Sequence, residues 1–115
     1  MFPFENLEVY KKAYWANQKL YRLLKDKNGI PIYMKSQLGK ACLSIMLNIA
    51  EGSARISPRD RKNFFVIARG SVFECASLIT FLNGEQEIPD NFKCELHFVF
   101  DEISRILYAM IKNLE

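Results

Sequence analysis

The residues that could do chemistry fall into a polar cluster, a scatter of cations and a few thiols. Asn48, Glu51 and Arg55 stand at i, i+3 and i+7 and close the most apolar stretch of the chain. Arg69, Ser71 and Glu74 lie among apolar neighbours further along. A buried amide or carboxylate is costly unless it is hydrogen-bonded or paired. These five residues, Asn48, Glu51, Arg69, Ser71 and Glu74, therefore line a pocket or form a polar network that fixes helix register. The network is the favoured reading, with Glu51 and Arg69 expected to pair across the intervening turn. The one enzymatic chemistry in view is capture of an anionic metabolite by Lys40, Arg55 or Arg69 with Glu51, and it requires those side chains to converge.

The rest of the catalytic repertoire is thin. His97 is the single histidine and has no His or Cys at ligand spacing, so it reads as a structural imidazole and no metal or cofactor is expected. No Ser or Cys sits in a nucleophile context. Cys42, Cys75 and Cys94 are odd in number and lack a CxxC pair, so all three are expected to be reduced core thiols of a cytoplasmic protein. No enzyme is expected.

The cations offer more. Net charge is only +3, but it is unevenly spread: residues 1–82 carry 13 Lys/Arg against 6 Asp/Glu, whereas residues 83–115 carry 3 against 7. Arg55, Arg59, Arg61 and Lys62 gather near one turn. On the first helical stretch Lys12, Lys19 and Arg22 can share a face. Clustered cations suit phosphate contacts, which give salt-dependent binding to RNA or DNA without base readout. A solvated surface is the competing reading.

Helices must carry these residues. Turn signals at Asn28-Gly29-Ile30-Pro31, at Gly52 through Pro58 and at Asn83-Gly84 through Pro89-Asp90 leave four long segments without internal proline, at about 6–26, 36–51, 58–82 and 90–114. None alternates like a strand, so the class is all-α. The last segment shows the helical period in Phe92, Leu96, Val99, Ile103, Ile106 and Met110. The third repeats it in Phe64, Ala68, Ser71, Cys75, Leu78 and Leu82. The first carries Leu7, Tyr10, Tyr14, Leu20 and Leu24. Ser57, Pro58 and Asp60 form a helix start, and Gly52 is expected to be the left-handed exit from the second helix. Short connections predict an antiparallel up-down-up-down four-helix bundle of one domain, 1–115. The run Ala41 to Ala50 is too short to span a bilayer, and no membrane is expected as a partner. The second helix, from Leu38 to Ile49, is apolar all round, which predicts burial against further copies of the chain or, in the competing reading, cover from the N-terminal arm and the loop at Ile30 to Met34.

Ser44-Ile45 with Asn48-Ile49-Ala50-Glu51-Gly52 and Ala54-Arg55, followed by Ala68-Arg69-Gly70-Ser71 and Glu74, resembles the proteins encoded in intervening sequences of bacterial 23S ribosomal RNA genes. The opening Phe4-Glu5-Asn6-Leu7-Glu8-Val9-Tyr10 fits as well. The accessory variability protein of diversity-generating retroelements is a relative. The resemblance implies a homopentameric ring of four-helix bundles and, for the retroelement relative, a basic surface that binds nucleic acid and a reverse transcriptase. The family pattern usually has proline where this chain has Met46 and often glycine where it has Ala54. Together these readings predict an oligomeric nucleic-acid-binding or ribonucleoprotein accessory protein. The alternative is an adaptor that binds protein only.

Overall fold

The computed structural model describes residues 1–115. A single 3-10 turn at Pro3–Asn6 leads into α1 (Glu8–Asp26), α2 (Ile32–Ala54), α3 (Pro58–Gly84) and α4 (Asp90–Asn113). There are no strands. The longest helix, α3, rises about 40 Å at 1.5 Å per residue, close to the 44 Å long axis of the molecule.

The starts and stops follow local chemistry. Ser57 caps α3, its hydroxyl oxygen accepting from the Asp60 N–H at 3.1 Å, with Pro58 at the first helical position. Gly29 has φ of 104°, a left-handed conformation that glycine reaches without strain, and it turns the chain between α1 and α2. Helix α2 begins earlier than the expected residue 36, because Pro31 serves as its cap. The Pro31 carbonyl accepts from the Met34 and Lys35 N–H groups at 3.0 and 3.1 Å. It also runs past Gly52 to Ala54, and continues unbroken through Met46.

Gly52 is therefore not a left-handed exit. It is buried inside the helix, and a Cβ placed there would meet Phe65 Cε1 at 2.7 Å and Phe64 Cβ at 3.1 Å. The missing side chain lets α2 and α3 approach closely where they converge on their turn.

Cross-helix pairs give the direction of each neighbour. Ser71 meets Ser44 while Glu74 meets Gln37, so residue numbers rise on α3 as they fall on α2. Lys12 meets Glu102 and Lys19 meets Glu95 between α1 and α4. Arg69 meets Ser104 and Thr80 meets His97 between α3 and α4. Each of these neighbouring pairs is antiparallel. The helices touch as α1 with α2, α2 with α3, α3 with α4 and α4 with α1, which places them at the corners of a square.

The core between them is built from narrower stripes than the apolar pattern suggests. On α1 it is Val9, Ala13, Ala16 and Leu20; Tyr14 is exposed. On α3 it is Phe65, Ala68, Val72, Cys75, Ile79 and Leu82, one position on from the expected Phe64, Ser71 and Leu78. On α4, Leu96, Phe100, Ile103, Leu107 and Ile111 are buried, and Phe92, Val99, Ile106 and Met110 only flank them. By length and composition α3 could cross a bilayer, yet its stripe packs in the bundle core and Arg69 and Glu74 lie along it.

Two glycines of α3 and α2 should respond in opposite ways to alanine. Gly52→Ala drives a Cβ into a buried ring, and overpacking at about 1–3 kcal/mol outweighs the helix-propensity gain of about 1 kcal/mol. At Gly70 an added Cβ meets nothing within 4 Å, so Gly70→Ala gains helix propensity alone. Thermal melts followed by circular dichroism should show a lower midpoint for Gly52→Ala and an unchanged or higher one for Gly70→Ala, at roughly 4 °C per kcal/mol.

Candidate nucleic-acid interface

The cations of α1 do not form one free face. Lys12 Nζ lies 3.5 Å from Glu102 Oε1 and Oε2, Lys19 Nζ lies 3.1 Å from Glu95 Oε1, and Lys27 reaches Glu87 at 3.8 Å. The first two pairs run along the seam between α1 and α4, and the third ties the end of α1 to the loop before α4. Each is partly solvated and worth about 0–1 kcal/mol. The positive first part of the sequence and the negative last part thus meet inside one bundle. Arg22 is exposed and has no carboxylate within 4.0 Å.

At the second turn the cations also separate. Arg55 folds back on Glu51, one helical turn earlier, and its guanidinium lies 4.7 Å from the Phe64 ring centroid. Lys62 Nζ is 3.0 Å from Glu115 Oε1. Arg59 is exposed without an ion-pair partner. Arg61 is half-buried, and its Nε is a buried donor with no hydrogen-bond acceptor.

The polar cluster divides into several links. Asn48 Nδ2 donates to the Ser44 carbonyl at 2.8 Å and to Ser44 Oγ at 3.0 Å, and Ser71 Oγ donates to the same Ser44 Oγ at 2.8 Å. Asn48 and Ser71 are therefore joined through Ser44, which the sequence reading did not single out. Gln37, about two turns before Ser44 on α2, donates to Glu74 further along the same α2–α3 seam. The expected Glu51–Arg69 pair does not form. Glu51 takes its own-helix neighbour Arg55, because an i, i+4 partner needs no tertiary alignment. Arg69 turns to α4, where its Nε donates to the Ser104 carbonyl at 3.2 Å.

The same geometry bears on an anionic-metabolite pocket. Glu51 and Arg55 satisfy each other, Lys40 is exposed on α2 without an ion pair, and Arg69 faces α4, so the four side chains do not converge. Cys42 and Cys75 are buried; Cys94 is exposed, which corrects its assignment to the core. The Cys75 thiol is pushed well up, first by its hydrogen bond with Cys42 and then by burial, which holds it in the unreactive protonated form. His97 Nε2 lies 3.2 Å from the Ala76 carbonyl and from Thr80 Oγ1, a structural tie between α4 and α3.

Apolar surface left in water is the other conspicuous feature. A groove of about 730 Å³ runs between α1 and α2 and is lined by Tyr14, Tyr21, Ile32, Leu43 and Met46 among others, with Lys25 and Lys35 at its edge. Leu47, one turn beyond Leu43, is 57% exposed. The sequence reading placed Ile32 in a loop; the earlier start of α2 puts it on a helix, at 85% exposure, facing this groove.

Residues 5–109 match the profile of the family described as 23S rRNA-intervening sequence protein. A crystal structure of a protein of unknown function from the S23 ribosomal protein family of Bacteroides thetaiotaomicron superposes with a TM-score of 0.85 at 22% identity, covering 90% of this chain and 98% of that one. At that identity the likeness carries the fold. No curated protein shows significant sequence similarity.

If the α1–α4 seam masks phosphate-binding lysines, removing the acids that hold them should expose the effect. The double variant Glu95→Gln with Glu102→Gln is expected to bind nucleic acid more tightly, with the log–log salt slope steeper by about 1–2. Filter binding at several salt concentrations checks this; wild-type slope and affinity would mean that Lys12 and Lys19 act only as internal ties.

Proposed function

The chain belongs to the 23S rRNA-intervening sequence protein family, and from that premise we propose that it is a non-enzymatic, cytoplasmic binding protein that assembles with copies of itself and binds nucleic acid. The observation that carries the assembly is the apolar groove between α1 and α2. Burying Leu43, Leu47 and Ile32 against another protomer removes large side chains from water, at about 25 cal/mol per Å². A pentameric ring is the stoichiometry we propose.

Nucleic-acid binding is supported by the cations that have no carboxylate partner. Eight of the 16 Lys and Arg side chains are in ion pairs, which leaves Arg22, Lys25, Lys40, Arg59, Arg61 and Lys93 among those free to meet phosphates. Contacts of this kind position a backbone without reading bases. The dispersed charge suits a non-specific, accessory role. A protein-only adaptor remains the second reading, favoured by the almost wholly apolar character of the α1–α2 groove.

Native mass spectrometry at micromolar concentration should give a single assembly of several copies, and Leu43→Glu with Leu47→Glu should release folded protomers, since both residues are already half in water. A single-copy wild-type mass removes the assembly. Titration against RNA and duplex DNA should show binding at low salt that weakens steeply as salt rises. Absence of binding at low salt leaves the adaptor.

A further inference from the structure

We propose that the groove between α3 and α4 around Arg69 is a site for single-stranded nucleic acid, in which Phe73 and Tyr108 stack unpaired bases while Arg69, Lys62 and Lys112 meet the backbone phosphates. The inference rests on the proposal above that the protein binds nucleic acid, and it supplies the place and the form of that ligand.

The geometry centres on one guanidinium. Arg69 Cζ lies 4.9 Å from the Phe73 ring centroid and 5.4 Å from that of Tyr108. Its Nε donates to the Ser104 carbonyl, which fixes the plane of the group. Neither terminal amino group donates to any acceptor in the protein, and no carboxylate lies within ion-pair distance. A half-buried, oriented guanidinium with its bidentate edge free matches a phosphate.

The rings beside it are not consumed by the core. Phe73 is 55% exposed and Tyr108 51%, and the groove they border measures about 440 Å³, within the range of about 300–1,000 Å³ typical of small-ligand sites. Gly70 lines it, and with no side chain there the approach between the helices stays open. The guanidinium lies over one face of each ring, and the remaining exposed ring surface is a stacking platform; stacking needs a base face that is not already covered by a neighbouring pair. A duplex hides those faces; a single strand presents them.

Spacing makes the site continuous. Lys62, Arg69 and Phe73 recur along one face of α3, and Tyr108 and Lys112 are one turn apart on α4. Glu115 occupies the space between the two lysines, 3.0 Å from Lys62 Nζ and 3.2 Å from Lys112 Nζ. It is the one carboxylate lining the groove, whose lining cations are Arg69 and Lys112, and Lys62 meets it from beside the groove, so it holds the place of an anion. An incoming phosphate, carrying a full charge and more acceptors, would displace it.

Fluorescence anisotropy with a labelled oligouridine at low salt tests the assignment on the full-length protein. Phe73→Leu and Tyr108→Leu keep apolar bulk but remove the ring, and each is expected to weaken binding about ten-fold. Arg69→Lys keeps the charge but loses the planar fork, and a similar loss is expected. Glu115→Gln should tighten binding several-fold, an effect that a purely structural contact would not produce. A duplex of the same length should compete poorly.

The outcomes separate the two proposals. A wild-type protein that binds no oligonucleotide ends nucleic-acid binding and this site together. Salt-dependent wild-type binding that the three groove variants leave unchanged, but that Arg59→Ala or Arg22→Ala weakens, keeps the general proposal and overturns this site. If the leucine variants lose binding only together with the wild-type assembly mass, the groove is a contact between copies and the assignment is overturned.

Discussion

Helix α2 carries apolar side chains around more of its circumference than α1 and α3 cover. Its inner positions, Leu38, Ala41, Cys42, Ile45 and Ile49, are almost wholly removed from water, while Leu43 and Leu47 are half exposed. The burial depends on close approach to α3, and that approach depends on Gly52 standing against Phe65. Because α2 and α3 are held this tightly near their turn, the Ser44 hydroxyl can meet Ser71 two turns away and the register of the hairpin follows. The other two helices close the square around this pair, α1 through small residues and α4 through a broader stripe of Leu, Ile and Phe.

Electrostatics finish what packing begins. Acids of the last third of the chain lie opposite lysines of the first helix, and Glu115 lies opposite Lys62. Each pair is weak, but the first two tie α4 to the helix farthest from it in sequence and the third ties the end of the chain to α3, and like charges placed there would oppose closure of the bundle. Glu115 shows the balance most directly. Hydrogen bonds from Lys62 and then Lys112 hold its carboxyl below the usual carboxylate range. A depressed carboxylate contributes while it is ionised, and the contribution is lost as pH falls through its lowered value. The contact lies at the surface and is screened by solvent, so it orients the end of α4 more than it stabilises the fold.

Four helices, their three breaks and the all-α class were legible from periodicity and turn residues, because those signals are local. The facing residues were harder. On α1 the reading weighted Tyr10 and Tyr14, whereas Ala13 and Ala16 face the core: a close helix pair needs small residues inside, and size alone points the wrong way. On α3 apolar residues occupy both sides of the helix, with Val66, Ile67 and Phe73 outward, so the period is visible but its phase is not. Glu51 illustrates the limit for the polar cluster. Sequence showed a carboxylate needing a partner, but the choice between Arg55 and Arg69 is decided by where α3 aims its long side chains, which only tertiary structure fixes. The aromatic pair around Arg69 joins residues from α3 and α4, and nothing local announces that Tyr108 completes it.

The square order of the helices gives these surfaces a relation. The groove between α1 and α2 lies on one side of the bundle, and the groove between α3 and α4 lies on the opposite side, with the whole core between them. They also differ in chemistry: the first is apolar with cations only at its edge, while the second sets two rings around a guanidinium and two lysines. An apolar groove gains most from complete removal of water, which a protein surface supplies, whereas rings beside a guanidinium that has no carboxylate partner gain most from a ligand that is both flat and charged. Placing them on opposite sides lets one be covered in an assembly without covering the other. Copies joined through the first would then carry their aromatic and cationic grooves on a shared outer or inner wall, where one strand could pass from protomer to protomer and engage several weak sites at once.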